Sequence, residues 1–187
     1  EIAMKLKSMN LSINQIIENF SKSRQENQNQ NWIRNGLNEL NSTIRGELDL
    51  TTLGKKVISF LCKYLNCKMG AFYYYNPNEK KLNLIGSYAF SQRKQLNNQI
   101  DLGQGLVGQC ALEKNVISIS DIPDDYFRIN SATGAALPKN ITVLPVLANN
   151  KLIGVIEIAS FKEFSLRANE FICQISEIIG ITLITTI

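Results

Sequence analysis

Carboxylates, thiols and a scatter of aromatic rings are the groups in this chain that could do chemistry. Asp121, Asp124 and Asp125 fall within one short stretch, Asp121-Ile-Pro-Asp-Asp-Tyr126. Loop carboxylates this close together could gather Mg²⁺ or Ca²⁺, which take oxygen ligands. The glycine-spaced calcium-loop pattern is missing, however, and a turn cap at Asp121 with a helix start at Asp124-Asp125 accounts for the same residues. No metal is therefore expected. Glu157 is a different case, a carboxylate inside the apolar run Gly154-Val-Ile-Glu-Ile-Ala-Ser160. Two readings fit it: an edge position or a Lys/Arg partner, or a place facing a cavity where it anchors a ligand by hydrogen bonding.

The other reactive groups point away from catalysis. Cys62, Cys67, Cys110 and Cys173 show no CxxC spacing and stand in apolar surroundings, which reads as four reduced, buried thiols in a cytoplasmic protein. The chain contains no histidine. That removes the imidazole of a Ser/His or Cys/His apparatus and the commonest zinc or haem ligand. Among 187 residues, 20 basic and 16 acidic side chains are interspersed without a Lys/Arg block, so nucleic acid is not an expected partner. An apolar content of 44% is enough for a core. No run of apolar residues is long enough to span a bilayer.

The elements that must position these groups can be read from spacing. Apolar residues at Ile2, Leu6, Met9, Ile13, Ile16 and Phe20 recur at intervals of 4, 3, 4, 3 and 4, a narrow heptad seam suited to a partner helix. Polar Ser21–Asn31 follows, and apolar spacing resumes in a displaced register at Ile33, Leu37, Leu40 and Ile44. A flexible linker over 1–45 is the competing reading. Gly46 offers a stop and Asp49 an N-cap for a second helix whose stripe runs through Leu53, Val57, Phe60, Leu61 and Tyr64.

Strands are predicted over about 68–75 and 81–90, around Ile100, and over 116–120. Tyr73–Tyr75 are adjacent, so at most two share a face of a strand, and β propensity accounts for them. Gly103, Gly105 and Gly108 punctuate the entry to a short helix over 106–113. After a weakly periodic loop, two Val/Ile-rich runs joined by Asn149-Asn150 describe a hairpin covered on both faces. From Ser165 onward, apolar spacing of three and four favours a final helix over a strand.

The serial order Gly-x-Gly-Leu-Val-Gly from Gly103, Ile-x-Asp-x-Pro-Asp-Asp-Tyr from Ile119, Pro-x-x-Ile-x-Val-x-Pro-Val from Pro138, and Gly-Val-Ile-Glu-Ile-Ala-Ser from Gly154 resembles a GAF domain. That is the small regulatory module of bacterial sensor kinases and related signalling proteins. The resemblance implies an α+β sandwich: a central antiparallel sheet of about six strands flanked by helices, with a cavity between the sheet and the loops of one face. Residues 49–187 would form this domain and 1–48 a signalling helix. Trp32-Ile33-x-x-Gly36-Leu37-x-Glu39-Leu40 followed by Arg45-Gly46-Glu47-Leu48 resembles the connector after a HAMP-type segment in membrane-anchored sensor kinases.

On that footing the expected function is a sensory module that binds a small molecule or a partner domain and passes its state through the terminal helices, as a homodimer, to an output domain such as a histidine kinase. The alternative is a dimerisation module with its cavity filled by its own side chains. Candidate ligand contacts are Tyr126, Phe127, Arg128, Ser131, Thr142, Leu144 and Glu157, with Tyr73 and Phe90 as aromatic walls. Bilin attachment would want a Cys-His pair, but Ala111 follows Cys110. The free-methionine sulfoxide reductase branch carries a Gly-Val-Cys-Gly turn where Leu106-Val107-Gly108 stands here. The cyclic-nucleotide signature Asn-Lys-x-x-x-Phe-x-x-x-Asp-Glu is not found. Neither an enzymatic activity nor a cofactor is expected.

Overall fold

The two apolar registers near the N-terminus belong to one unbroken helix, α1, Ile2–Ile44. At about 1.5 Å per residue it is roughly 65 Å long. In the computed structural model, which describes residues 1–89, 98–120, 122, 129–131, 134–136 and 138–186, no linker interrupts it. The polar stretch over 21–31 stays helical because glutamine, asparagine and glutamate tolerate an exposed helix surface when neither glycine nor proline intervenes. Only the last part of α1 enters the core, through Ile33, Gly36, Leu40 and Ile44.

Gly46, at φ +74°, ends this helix. Asp49 opens α2, Leu50–Tyr64, by accepting a hydrogen bond from the Thr52 amide at 2.7 Å. Strands β1 (Met69–Asn76), β2 (Lys81–Tyr88) and β3 (Gln99–Asp101) lead to α3, Gly105–Glu113. Then come β4 (Ile117–Ile119), a small pair β5 (Ile129–Ser131) and β6 (Gly134–Ala136), the long strands β7 (Asn140–Ala148) and β8 (Lys151–Ser160), and α4, Leu166–Thr186. The β5–β6 pair lies where the sequence shows no period.

Six strands form one antiparallel sheet in the order β3-β2-β1-β8-β7-β4. The hairpin expected at Asn149-Asn150 forms with both residues at positive φ, 49° and 61°. As the apolar character of both strand faces requires, the sheet is covered twice. On one face Phe72, Leu144, Ile156 and Ile158 pack against α1, α2 and α4 through residues such as Leu40, Leu61 and Phe171. On the other, Ala71, Tyr73, Val143 and Val155 pack under Val107, Cys110 and Ala111 of α3.

The sheet carries two register shifts, at Phe72/Tyr73 between β1 and β2 and at Val146/Leu147 between β7 and β8. The one at Val146/Leu147 is met by Ser176 of α4, whose hydroxyl donates to the Pro145 carbonyl at 2.7 Å and accepts from the Leu147 amide at 3.1 Å. The backbone groups unsettled by the irregularity are thereby satisfied by the helix that covers them.

Candidate functional site

Glu157 stands in the middle of the sheet. On β8 it lies opposite Ala71 of β1 and Val143 of β7, which rules out the edge position. It takes no part in an ion pair or hydrogen bond among the described residues, so the Lys/Arg pairing is not seen either. Strand alternation puts it on the α3 face, between Val155 and Ala159. There the carboxyl is partly buried, and desolvation alone pushes its pKa up to about 7. A half-titrated carboxyl among apolar side chains is poised to take a hydrogen-bonding or cationic group, because such a group would supply what burial has removed.

The pleat separates the other candidates. Tyr73, on β1 beside Ala71, shares the Glu157 face and is buried there. Tyr75 joins it on that side, whereas Tyr74 turns to the helices, as adjacent residues of a strand must. Thr142 and Leu144 lie on the opposite face from Glu157. Leu144 belongs to the helix-side core, and Thr142 donates to Asn140 Oδ1 at 3.1 Å while Ser118 lies 3.0 Å from the Thr142 hydroxyl. Thr142 has one hydroxyl proton and gives it to Asn140, so Ser118 is the donor in the second contact. These two residues therefore do not converge with Glu157. Phe90, Tyr126, Phe127 and Arg128, and with them Asp121, Asp124 and Asp125, lie outside the described residues; Ser131 ends β5.

The glycine run that opens α3 has a geometric basis. Gly103 and Gly105 take φ +80° and +61°, and a Cβ on Gly108 would come within 2.3 Å of the Asp101 carbonyl. The run brings α3 down onto the sheet and seats Cys110 against it. Burial pushes the Cys110 thiol up to about 12, and a hydrogen bond with Cys62, reinforced by burial, holds the Cys67 thiol well above the ordinary thiol range. These thiols are buried and unreactive. Cys173 departs from the expectation of four buried thiols and is exposed. It follows Ile172 on α4, and one helical step of about 100° carries its side chain off the buried stripe.

A second constellation joins α1 to the body, on the far side of the sheet but at the same end. Trp32 stacks on Tyr64 at 4.6 Å between centroids and meets Phe171 edge-on at 5.6 Å, while Arg167 sits 4.9 Å above the indole. Tyr64 donates its hydroxyl hydrogen bond to the Trp32 carbonyl at 2.6 Å. Gly36 makes the approach feasible, since a Cβ there would lie 2.6 Å from the Tyr64 ring and 2.8 Å from Phe171. Ser160, three residues beyond Glu157 on β8, lines the cleft of about 580 Å³ beside Trp32. Along a strand that is roughly 10 Å. Sequence reasoning singled out Trp32 and Gly36 only as parts of a connector pattern; the pairing with Tyr64 needs the third dimension.

Among the described residues, no three His, Cys, Asp or Glu side chains gather as a metal site would require. No helix among them is long and apolar enough to cross a membrane.

A two-faced six-stranded antiparallel sheet with a glycine-seated helix on one side and the terminal helices on the other defines the GAF fold. The GAF domain family model matches residues 47–183, and the chain belongs to that family. Similar solved structures include the GAF domain of the Acinetobacter phosphoenolpyruvate-protein phosphotransferase, at 14% identity and TM-score 0.65 over 85% of this chain and 94% of that one. The free methionine-R-sulfoxide reductase of Neisseria meningitidis, in complex with its substrate, matches at 17% identity and TM-score 0.65 over 82% and 89%. The A. aeolicus nlh2 GAF domain in an inactive state matches at 20% identity and TM-score 0.62 over 84% and 98%. At these identities the likeness concerns the fold. No curated protein matches the sequence.

Proposed function

We propose that this GAF domain is a regulatory module whose α3 face binds a small molecule or a partner domain and whose terminal helices pass the resulting state to an output domain, a histidine kinase in the reading the connector motif favours. Glu157 carries the proposal. A carboxyl at mid-sheet without a partner among the described residues costs stability, and a site that binds a donor or a cation gives that cost a use. The backbone of β8 that bears Glu157 runs on to Ser160 at the Trp32 joint, so occupancy on one face bears on how α1 sits on the other. A ligand shifts that seating only by the difference in its affinity for two arrangements. The protein neighbours that act as enzymes lend no activity to this chain, whose helix α3 begins Gly105-Leu106-Val107 without a thiol in the turn. We read it as a non-enzymatic, cytoplasmic part of a signalling protein. The test is thermal stability and native mass spectrometry of the purified chain and of Glu157→Gln across a broad metabolite set. A compound that stabilises the native chain and not the variant is expected; no such compound, and no carried ligand, defeats the sensing reading.

One observation favours a second reading, a module whose task is dimerisation alone. The seam from Ile2 to Phe20 is exposed on α1, with Ile16 at 66% and Phe20 at 73% accessibility. A parallel helix pair would cover it in either reading. A dimer that forms identically in Glu157→Gln and responds to no ligand favours the second.

A further inference from the structure

The sheet divides at the end remote from Trp32. Pairing between β1 and β8 stops at Tyr74 and Gly154, yet β1 stays paired with β2 as far as Asn76 and Lys81, and β8 with β7 as far as Ala148 and Lys151. The two hairpin tips part there and leave a cleft of about 660 Å³. Tyr74, Tyr75, Leu152 and Ile153 line it, with Leu112 of α3 on one side and Ile184 of α4 on the other. Leu112 and Ile184 are 59% and 48% exposed, more than a packed core would leave.

Lys114 and Lys151 are the charged residues of the lining, and no carboxylate is among it. Neither lysine forms an ion pair among the described residues. Lys114 is held in place: it caps α3 in the left-handed region at φ 54°, and its ammonium donates to the Asn150 carbonyl at 3.2 Å. An ammonium fixed over the β7–β8 turn, with a second lysine in the same lining and an apolar trough below, complements a molecule with one anionic end and one hydrocarbon end.

We infer that this cleft is a binding site for an amphipathic monocarboxylate, with the carboxylate between Lys114 and Lys151 and the hydrocarbon between the hairpin tips. It borders the α3 side of the sheet through Tyr75 and Leu152 but lies away from Glu157 itself, since Leu152 is five residues back along β8, roughly 17 Å away. Its fate does not depend on the sensing reading above. Because Ile184 closes one side, an occupant touches the last turns of α4.

Decanoate, below its micelle concentration, tests this with methyl-resolved NMR of the full chain, beside decanol and decylammonium. Saturable shifts at Leu112, Leu152, Ile153 and Ile184 are expected, with decanol and decylammonium each at least ~10-fold weaker. Lys114→Ala/Lys151→Ala, which alters exposed positions and leaves the core intact, should weaken decanoate ~10-fold as well. Equal binding of decanol, shifts centred elsewhere, an unchanged affinity in the double variant, or no saturable shift overturns the assignment. So does a cleft whose methyl shifts follow protein concentration alone, since a second copy would then be its occupant.

Discussion

Glu157→Gln removes a charge that the folded chain holds at a cost. The folded carboxyl titrates at about 7, against about 4.5 for an ordinary glutamate. The fold therefore binds the proton more tightly than the unfolded chain does, and stability falls as pH rises through that window, then levels off above about 7. Urea unfolding of the native chain should show this decline; the variant should lack it and be the more stable of the two by about 1–3 kcal/mol at pH 8. Equal slopes would mean that the carboxyl is solvated. The sequence marked Glu157 as unusual because a carboxylate interrupts a Val/Ile run, but its face follows from the pairing of β8 with both β1 and β7. The same pleat explains why Thr142 and Leu144, near in sequence to the expected pocket, face the helices: a strand shows which residues alternate, not which of its two faces a ligand meets.

Helix α4 and strand β7 are locked together at Ser176, and α1 and α2 at Gly36. Ser176→Ala would leave the Pro145 carbonyl and the Leu147 amide without their side-chain partner, so a loss of about 1–3 kcal/mol on chemical denaturation is expected. A loss under 0.5 kcal/mol would show that water replaces the hydroxyl there. Gly36→Leu is the larger insult, because its side chain must displace the rings of Tyr64 and Phe171. Trp32 is the chain's one tryptophan, so its emission should shift to the red in this variant as α1 lifts from Tyr64. Unchanged emission would mean that the rings yield without moving the helix. At this scale the sequence was informative wherever one element carries its own pattern: the heptad seam, the stripe of α2, the Asn149-Asn150 hairpin and the final helix all follow from spacing. Ser176 carried no such signal, since a serine on an amphipathic helix reads as an ordinary surface residue until the irregularity in β7 appears beneath it.

As a whole, the molecule is a folded body with a helix reaching beyond it. Residues of α1 from Ile33 onward belong to the core, so a version beginning at Gln30 keeps the body intact, whereas one beginning at Asp49 would strip Ile33, Leu40 and Ile44 from it. In sedimentation equilibrium the full chain should be a dimer and the version from Gln30 substantially weaker in self-association. If both are monomers, neither the relay nor the dimerisation reading has its helix pair. The chain has no histidine, so titration near neutral pH isolates the raised carboxyl unusually well. Trp32 emission followed from about pH 5.5 to 8 in the native chain and in Glu157→Gln is the most direct measurement. A transition centred near 7 in the first and missing from the second is what a coupled sheet predicts; emission that is flat in both, or that titrates identically in both, would contradict it.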